Sequence, residues 1–127
     1  YQRIMNINLE SNSGSYEIES YDDNEVVIRT IDKQQLVLQR DFILSPSKLF
    51  QEKAISFSQH SDIEYLISLK PEVLVVSTHD PHSFPKDVRK LFEAEAIGVE
   101  VMKIGSGCRT YNLLASELRN VYLVIQF

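Results

Sequence analysis

The pattern of apolar and polar positions changes about halfway along the chain. In the N-terminal half, apolar and polar residues alternate over short runs, which is typical of half-buried strands. This alternation occurs at residues 5–9 and 16–21, and clusters of turn-forming residues separate these runs from two further strand-like runs at residues 25–31 and 35–40. The last two runs flank residues 32–34 and predict a hairpin. An apolar run at residues 42–44 follows, and strands joined by short turns favour antiparallel pairing.

In the C-terminal half, helical periodicity alternates with continuous apolar runs. Ile63, Leu66 and Ile67 have helical spacing and predict a helix that begins at Ser61 or Asp62 and ends before Pro71. The run at residues 73–76 is typical of a strand covered on both faces. The remaining predicted elements are a polar loop (77–85), a helix (86–97) stopped by Gly98, a strand (99–104), a helix (108–118) followed by Asn120 in a left-handed turn, and a strand (121–127). Residues 49–60 have a weak pattern and are predicted as a loop.

The order strand–helix–strand–helix–strand predicts the fold class. Short connections imply right-handed crossovers, which place the three C-terminal strands side by side and parallel. The N-terminal strands are expected to cover or extend that sheet. We therefore predict an α/β fold with a mixed sheet, a C-terminal parallel βαβαβ unit and N-terminal antiparallel strands. The length of 127 residues is that of one domain, spanning residues 1–127.

Composition narrows the classes of function. The net charge of −5 argues against nucleic-acid binding, which needs basic patches. No apolar stretch approaches about 18 residues, so we expect no membrane span. One cysteine forms no internal disulfide, which fits a reducing compartment such as the cytoplasm, or a mitochondrion in a eukaryote. No secretory signal opens the chain, although its start at Tyr1 leaves a trimmed leader segment open.

The candidate chemistry lies in two loops that leave the predicted parallel strands. Ligands of open α/β sheets gather beyond the carboxyl ends of such strands, so the loops at 77–82 and 105–110 are expected to face one crevice. Two glycines, a helix N-terminus and an arginine suit a small anion. The predicted pocket consists of Ser106, Gly107, Cys108, Arg109, Thr110 and His79. The alternative is a tight connection in which Arg109 forms a structural ion pair, and the sequence favours it over the anion site.

Cys108 allows a further hypothesis. A helix N-terminus and a neighbouring guanidinium lower the pKa of a thiol, and His79 or His82 would then serve as its base. Against this, free cysteines are most often buried apolar fillers. The set His79, Asp80, His82 and Cys108 matches no standard zinc spacing, so we predict no metal and no cofactor.

Three segments resemble a small family of unknown function. They are residues 71–76 (PEVLVV), 98–102 (GVEVM) and 108–119 (CRTYNLLASELR). The family that they resemble includes a mitochondrial respiratory complex I assembly factor and an adipogenesis-associated protein. The resemblance covers about residues 70–127 and implies a three-layer β/β/α fold with no established catalytic activity. Ser77, Thr78 and His79 replace the Gly-Thr-Gly-like turn of that family, and Lys103 and Ile104 replace its Asp-Thr.

Two classes of function follow. The first is a non-enzymatic protein-binding or assembly-type factor, which acts through a protein partner or through homo-oligomerisation and predicts an exposed apolar patch. The alternative is a small-anion or Cys-dependent enzyme site formed by residues 105–110 and the loop at residues 79–82. We favour the first, and with it a protein that is not an enzyme.

Overall fold

A computed structural model describes residues 14–127, and the strand predicted at residues 5–9 lies outside them. The described elements follow the predicted order, with one short strand and one 3-10 turn in addition. They are β1 (Glu17–Tyr21), β2 (Val26–Arg29), β3 (Gln35–Leu38), β4 (Phe42–Leu44), β5 (Leu49–Phe50), α1 (His60–Ser68), β6 (Val73–Thr78), a 3-10 turn (Pro81–Ser83), α2 (Lys86–Glu93), β7 (Gly98–Met102), α3 (Ile104–Ser116) and β8 (Val121–Gln126).

A five-stranded mixed sheet forms the middle of the molecule, in the order β5-β4-β8-β6-β7. β6 pairs in parallel with both β7 and β8, so the prediction of three parallel C-terminal strands is confirmed. β4 pairs antiparallel with β8 and with β5, and these two strands extend the sheet. The central position of β6 means that its carboxyl end is flanked by a strand on each side.

A second, three-stranded sheet has the order β1-β2-β3 and is antiparallel throughout, which confirms the predicted hairpin. Its register shifts between Ile18 and Ser20, where β1 bulges against β2. A bulge adds one residue to a strand and reverses the facing of the residues after it. Tyr21 therefore pairs with Val26 and lies on the same face as Ile18, although the two are an odd number of residues apart.

The large sheet is buried on both faces, which explains the continuous apolar run of β6. Val73 and Val75 pack in a core with the small sheet and α3. Leu74 and Val76 pack in a second core with α1 and α2. The layers are therefore α1 and α2, then the large sheet, then the small sheet with α3 beside it. This matches the predicted three-layer β/β/α arrangement.

Several boundaries differ from the prediction. The short strand β5 lies in the segment predicted as a loop, and α2 ends at Glu93 rather than residue 97. After α2 the chain turns through Ala96 at a φ of 61°, upstream of Gly98. The turn lets Ile97 return to the core, where it is 4% exposed. After α3 the left-handed residue is Leu118, at a φ of 62°, rather than Asn120.

Candidate functional site

The carboxyl ends of β6 and β7 form a shared edge of the large sheet, as predicted. Ser77 of β6 lies opposite Met102 of β7, so the two strands end together. From this edge β6 leads to α2, on one face of the sheet, and β7 leads to α3, on the other. Adjacent parallel strands whose connections leave to opposite faces create a crevice where ligands of α/β proteins bind. β8 runs parallel to β6 on its other side and ends at the same edge. We name the edge formed by these three carboxyl ends the carboxyl rim.

The predicted glycine loop is wrong, because Gly105, Ser106 and Gly107 belong to the first turns of α3. β7 ends at Met102 and the helix begins at Ile104, four residues earlier than expected. Packing explains the glycines. A Cβ on Gly107 would stand 1.4 Å from Ser77 Oγ, and a Cβ on Gly105 would stand 2.7 Å from the Tyr21 ring. The glycines are therefore needed for close approach of the helix to β6 and β1, and not for a turn.

This close approach seals the α3 side of the carboxyl rim. Ser77 is 0% exposed, and its Oγ has no hydrogen-bond partner within residues 14–127. A buried hydroxyl without a partner costs about 1–3 kcal/mol. The helix packs directly on this hydroxyl. The first turns of α3 therefore form a wall that closes the α3 side of the carboxyl rim to a ligand.

Cys108 lies behind this wall rather than in a pocket. The side chain is 0% exposed, and burial raises the pKa of its thiol to about 12, although the charge of Arg109 lowers that pKa to a smaller extent. The predicted thiolate is therefore wrong, because the thiol stays protonated at neutral pH. His79 is exposed at the end of β6, and in the described part of the chain no hydrogen bond joins it to Cys108.

Arg109, Ser106 and Thr110 lie around the first turns of α3. The Arg109 guanidinium donates to the Tyr21 hydroxyl and, at 3.2 Å, to Ser106 Oγ. Thr110 Oγ1 donates to Met102 Sδ at 3.3 Å. Lys103, which precedes the helix, makes no side-chain hydrogen bond that caps it. The anion site stays a prediction: an uncapped N-terminus and a guanidinium are close to each other, but Tyr21 already occupies part of the guanidinium.

Tyr111 and Asn112 have a structural role that the sequence only partly indicated. The hydroxyl of the buried Tyr111 side chain donates to Tyr16 O at 2.9 Å. Asn112 accepts from Ile18 N at 3.0 Å and donates to Ile18 O at 2.8 Å, so its amide replaces a missing neighbour strand of β1. Burial raises the Tyr111 pKa far above its usual range, and the charge of Glu17 adds to this effect. The motif at residues 108–112 therefore fastens α3 to the small sheet.

An open cavity of about 310 Å³ lies on the other side of β6, towards α2. Its walls come from the ends of β6 and β8, the connection to α2 and residues 55–58, and they include Thr78, Asp80 and Gln126. None of the predicted pocket residues lines it. No sequence motif marks this cavity, because its lining comes from segments far apart in the chain. The only signal was the position of Thr78 and Asp80 in the loop predicted to follow the buried strand at residues 73–76.

Within residues 14–127, no three His, Cys, Asp or Glu side chains are grouped so that they would hold a metal ion. No helix in the same range is both long enough and apolar enough to cross a membrane.

Comparison with known proteins gives one family and several similar folds. The profile described as "Protein of unknown function (DUF498/DUF598)" matches residues 18–126. The NMR structure of XCC1710 from Xanthomonas campestris has a TM-score of 0.72 and 30% identity, covering 90% of this chain and 86% of that chain. The search of curated proteins gave no match.

Two less similar structures show the fold alone. The crystal structure of an outer membrane protein from Bartonella henselae has a TM-score of 0.70 at 20% identity and covers 90% of this chain and 96% of that chain. The solution NMR structure of a Bordetella pertussis protein, described as a Mth938-like domain, has a TM-score of 0.63 at 17% identity and covers 87% of this chain and 84% of that chain.

Proposed function

The chain belongs to the DUF498/DUF598 family of proteins of unknown function, and on that premise we propose that it is a non-enzymatic protein-binding domain of the assembly-factor type. Family membership confirms that the resemblance to a small uncharacterised family was sound. The assembly role rests on the likeness to a family that includes a complex I assembly factor, which is an analogy. The observation that carries the proposal is an exposed stripe on α3.

The stripe consists of Arg109 and Leu113 of α3 and of Glu117, the residue that caps the carboxyl end of the helix, at i, i+4 and i+8. Residues four apart lie on one face of a helix, and all three are exposed. Leu113 is 59% exposed and Leu118, just beyond the helix, is 88% exposed. The stripe has a leucine at its centre and opposite charges at its two ends. It is therefore complementary to a second copy of itself in the antiparallel orientation.

We propose a second copy of the chain as the occupant of this stripe. If two α3 helices pack antiparallel about Leu113, Arg109 of each copy lies level with Glu117 of the other. The leucines then meet in the middle and two ion pairs flank them. One pair of helices buries less than the roughly 800 Å² per partner of a standard interface, so we expect a weak, concentration-dependent dimer.

Sedimentation equilibrium of the whole chain between about 10 μM and 1 mM tests this. Leu113→Ser and Arg109→Glu should each shift the protein towards monomer, and the double variant Arg109→Glu/Glu117→Arg should restore the dimer, because it recreates the charge pairs. Leu91→Ser is the matched control, since Leu91 is exposed on α2 and 44% accessible. A wild-type protein that stays monomeric at 1 mM, or a double swap that fails to restore association, rejects the proposal.

A small anion at the start of α3 is the second candidate. The uncapped helix N-terminus and the Arg109 guanidinium beside Ser106 support it. Titration with inorganic phosphate should then shift the amide resonances of Ile104, Gly105 and Ser106 in the wild type and less in Arg109→Gln. Unchanged resonances at about 20 mM phosphate, a concentration far above that expected for a specific site, count against it.

The compartment is also a proposal. The single cysteine and its burial are consistent with a reducing cytoplasm, or with a mitochondrion if the organism is eukaryotic. Cell fractionation with an antibody to the chain tests this directly.

A further inference from the structure

The cavity on the α2 side of the carboxyl rim has the size and position of a ligand site. Its volume of about 310 Å³ is at the lower end of the range of roughly 300–1,000 Å³ for small-molecule sites. It opens at the carboxyl ends of β6 and β8, where Thr78 ends one strand and Gln126 ends the other. These two residues lie opposite each other in the register of the parallel pair.

One wall of the cavity is apolar and firmly supported. Phe57 and Phe84 line it, and their rings pack edge to face with centroids 4.8 Å apart. Phe57 is only 8% exposed and also packs against Phe92 of α2, with centroids 6.4 Å apart. Because these rings belong to the α1 and α2 core, the wall is already formed before any ligand binds. An apolar group of a ligand would lie along it.

The polar side of the cavity offers acceptors and a negative charge. The Gln126 amide donates through Nε2 to Ile55 O at 2.9 Å, which orients the side chain and leaves Oε1 as an acceptor. The Asp80 carboxylate has no hydrogen-bond or ion-pair partner within residues 14–127. Ser83 uses its hydroxyl hydrogen on Asp80 O at 2.8 Å, so its oxygen is left to accept.

Positive charge is missing from the lining. No lysine or arginine is among the described residues that form the cavity. Arg89 lies nearby, with its guanidinium 5.9 Å from the centre of the Phe84 ring, but it donates to Val99 O of the edge strand β7 at 2.5 Å. A ligand in this cavity therefore meets one carboxylate and several acceptors and no cationic side chain. Such a lining favours a donor-rich cation and disfavours an anion.

From this lining we propose that the cavity binds a small organic cation, a primary ammonium carried on an apolar group. The ammonium donates to the Asp80 carboxylate and to Gln126 Oε1, and the apolar group packs on Phe57 and Phe84. The cavity shares no residue with the α3 stripe or with the anion candidate. The ligand proposed for it has the opposite charge to the anion that the sequence suggested.

NMR titration of the whole chain with 2-phenylethylammonium tests the proposal. We expect saturable shifts of the amide resonances of Thr78, Asp80 and Gln126, and an affinity about tenfold lower in Asp80→Asn, because the oxygen that accepts from the ammonium is then uncharged. Asp23→Asn is the matched control, since Asp23 is exposed on the turn between β1 and β2 and should leave the affinity unchanged.

Two related compounds separate charge from shape. 2-Phenylethanol, which keeps the ring and a donor but no charge, should bind at least about fivefold more weakly than the amine, and 3-phenylpropionate should not shift these resonances. The proposal is overturned if the amine gives no saturable shifts, if Asp80→Asn binds it as well as the wild type, or if the carboxylate compound binds as tightly as the amine.

Discussion

The two sides of β6 at the carboxyl rim differ in one decisive respect: the α3 side is closed and the α2 side is open. On the closed side, Gly107 lets the helix approach until it touches Ser77, and Cys108 is buried behind it. On the open side, the chain leaves the rim through a polar connection and a cavity remains. The residues with the most suggestive chemistry lie on the closed side. The comparison shows that a reactive residue at the carboxyl end of a strand forms a site only where the packing leaves space for a ligand.

The largest expected effect comes from forcing the closed side apart. Gly107→Ala should lower the free energy of unfolding by about 3 kcal/mol, because the new methyl group overlaps Ser77 Oγ and the core resists overpacking. Urea denaturation measures this. Gly98→Ala is the control: the nearest atom to its Cβ is Glu72 O at 3.8 Å, and we expect a change below about 1 kcal/mol.

A second variant checks that contact with Ser77 is the cause. In a Ser77→Gly background the nearest atom of residue 77 to the new methyl group is the Cα, at 3.5 Å, an ordinary contact distance. Gly107→Ala should therefore cost much less there than in the wild type. An equal cost in both backgrounds would show that the wall is not formed by this contact.

Asn112→Ala should destabilise the protein by about 2 kcal/mol, because it removes two hydrogen bonds that fasten α3 to β1, each contributing about 1 kcal/mol. Asn120→Ala is a fitting comparison, since the Asn120 amide makes a single exposed hydrogen bond to Lys70 O. If both variants lower the free energy of unfolding by the same amount in thermal or urea denaturation, the two hydrogen bonds of Asn112 do not hold α3 to β1 as proposed.

The buried thiol predicts a loss of stability at alkaline pH. A thiol with the ordinary pKa of 9.0 ionises in the unfolded chain, whereas the pKa of about 12 keeps the folded thiol protonated. At pH values between 9 and 12 the unfolded state binds fewer protons than the folded state. The contribution of Cys108 to the free energy of unfolding is therefore fully present below pH 9 and is lost as the pH rises. At pH 10.5 the loss from Cys108 alone is about 2 kcal/mol.

Cys108→Ala isolates that contribution. Its stability should fall less steeply than that of the wild type between pH 8 and pH 10.5. Tyr111, whose pKa burial also raises, contributes a loss in the same direction in both proteins. Parallel pH profiles for the two proteins would mean that the thiol ionises as readily in the folded chain as in the unfolded one.

The smallest expected effect concerns the carboxyl end of α3, where the backbone is strained and the side chain is not packed. Leu118 adopts a φ of 62° and is 88% exposed, so it combines an unfavourable backbone conformation with an unburied apolar side chain. Leu118→Gly should raise the free energy of unfolding by about 1 kcal/mol, because glycine adopts this conformation without strain. Leu113→Gly, inside the helix, should instead lower it by about 1 kcal/mol. A destabilising Leu118→Gly would show that the exposed side chain contributes packing energy.

The sequence predicted the architecture well because its signals there are local. The apolar run at residues 73–76 and the short connections after it were enough to place three parallel strands and a shared rim. Gly105 and Gly107 led to the wrong prediction of a loop, because glycines after a strand usually mark a loop. Glycine is required at these two positions because Ser77 and Tyr21, which are distant in sequence, approach them closely. The bulge in β1 that lets Tyr21 face α3 has no local signal either.

The open cavity escaped prediction for a related reason. Phe57 belongs to a segment with no clear periodicity, and Gln126 reads simply as the end of a strand. Only the assembled sheet brings them to the same edge as Asp80.

Thiol labelling tests the contrast between the closed and the open side most directly. The native Cys108 would be compared with a cysteine on the open side, introduced as Ser58→Cys together with Cys108→Ala, using a neutral disulfide reagent at pH 7.5. Our account predicts that the cavity cysteine reacts at nearly the rate of an unfolded chain, and that Cys108 reacts at least about a hundredfold more slowly, because it must wait for opening of the core. Equal rates at the two positions would contradict it.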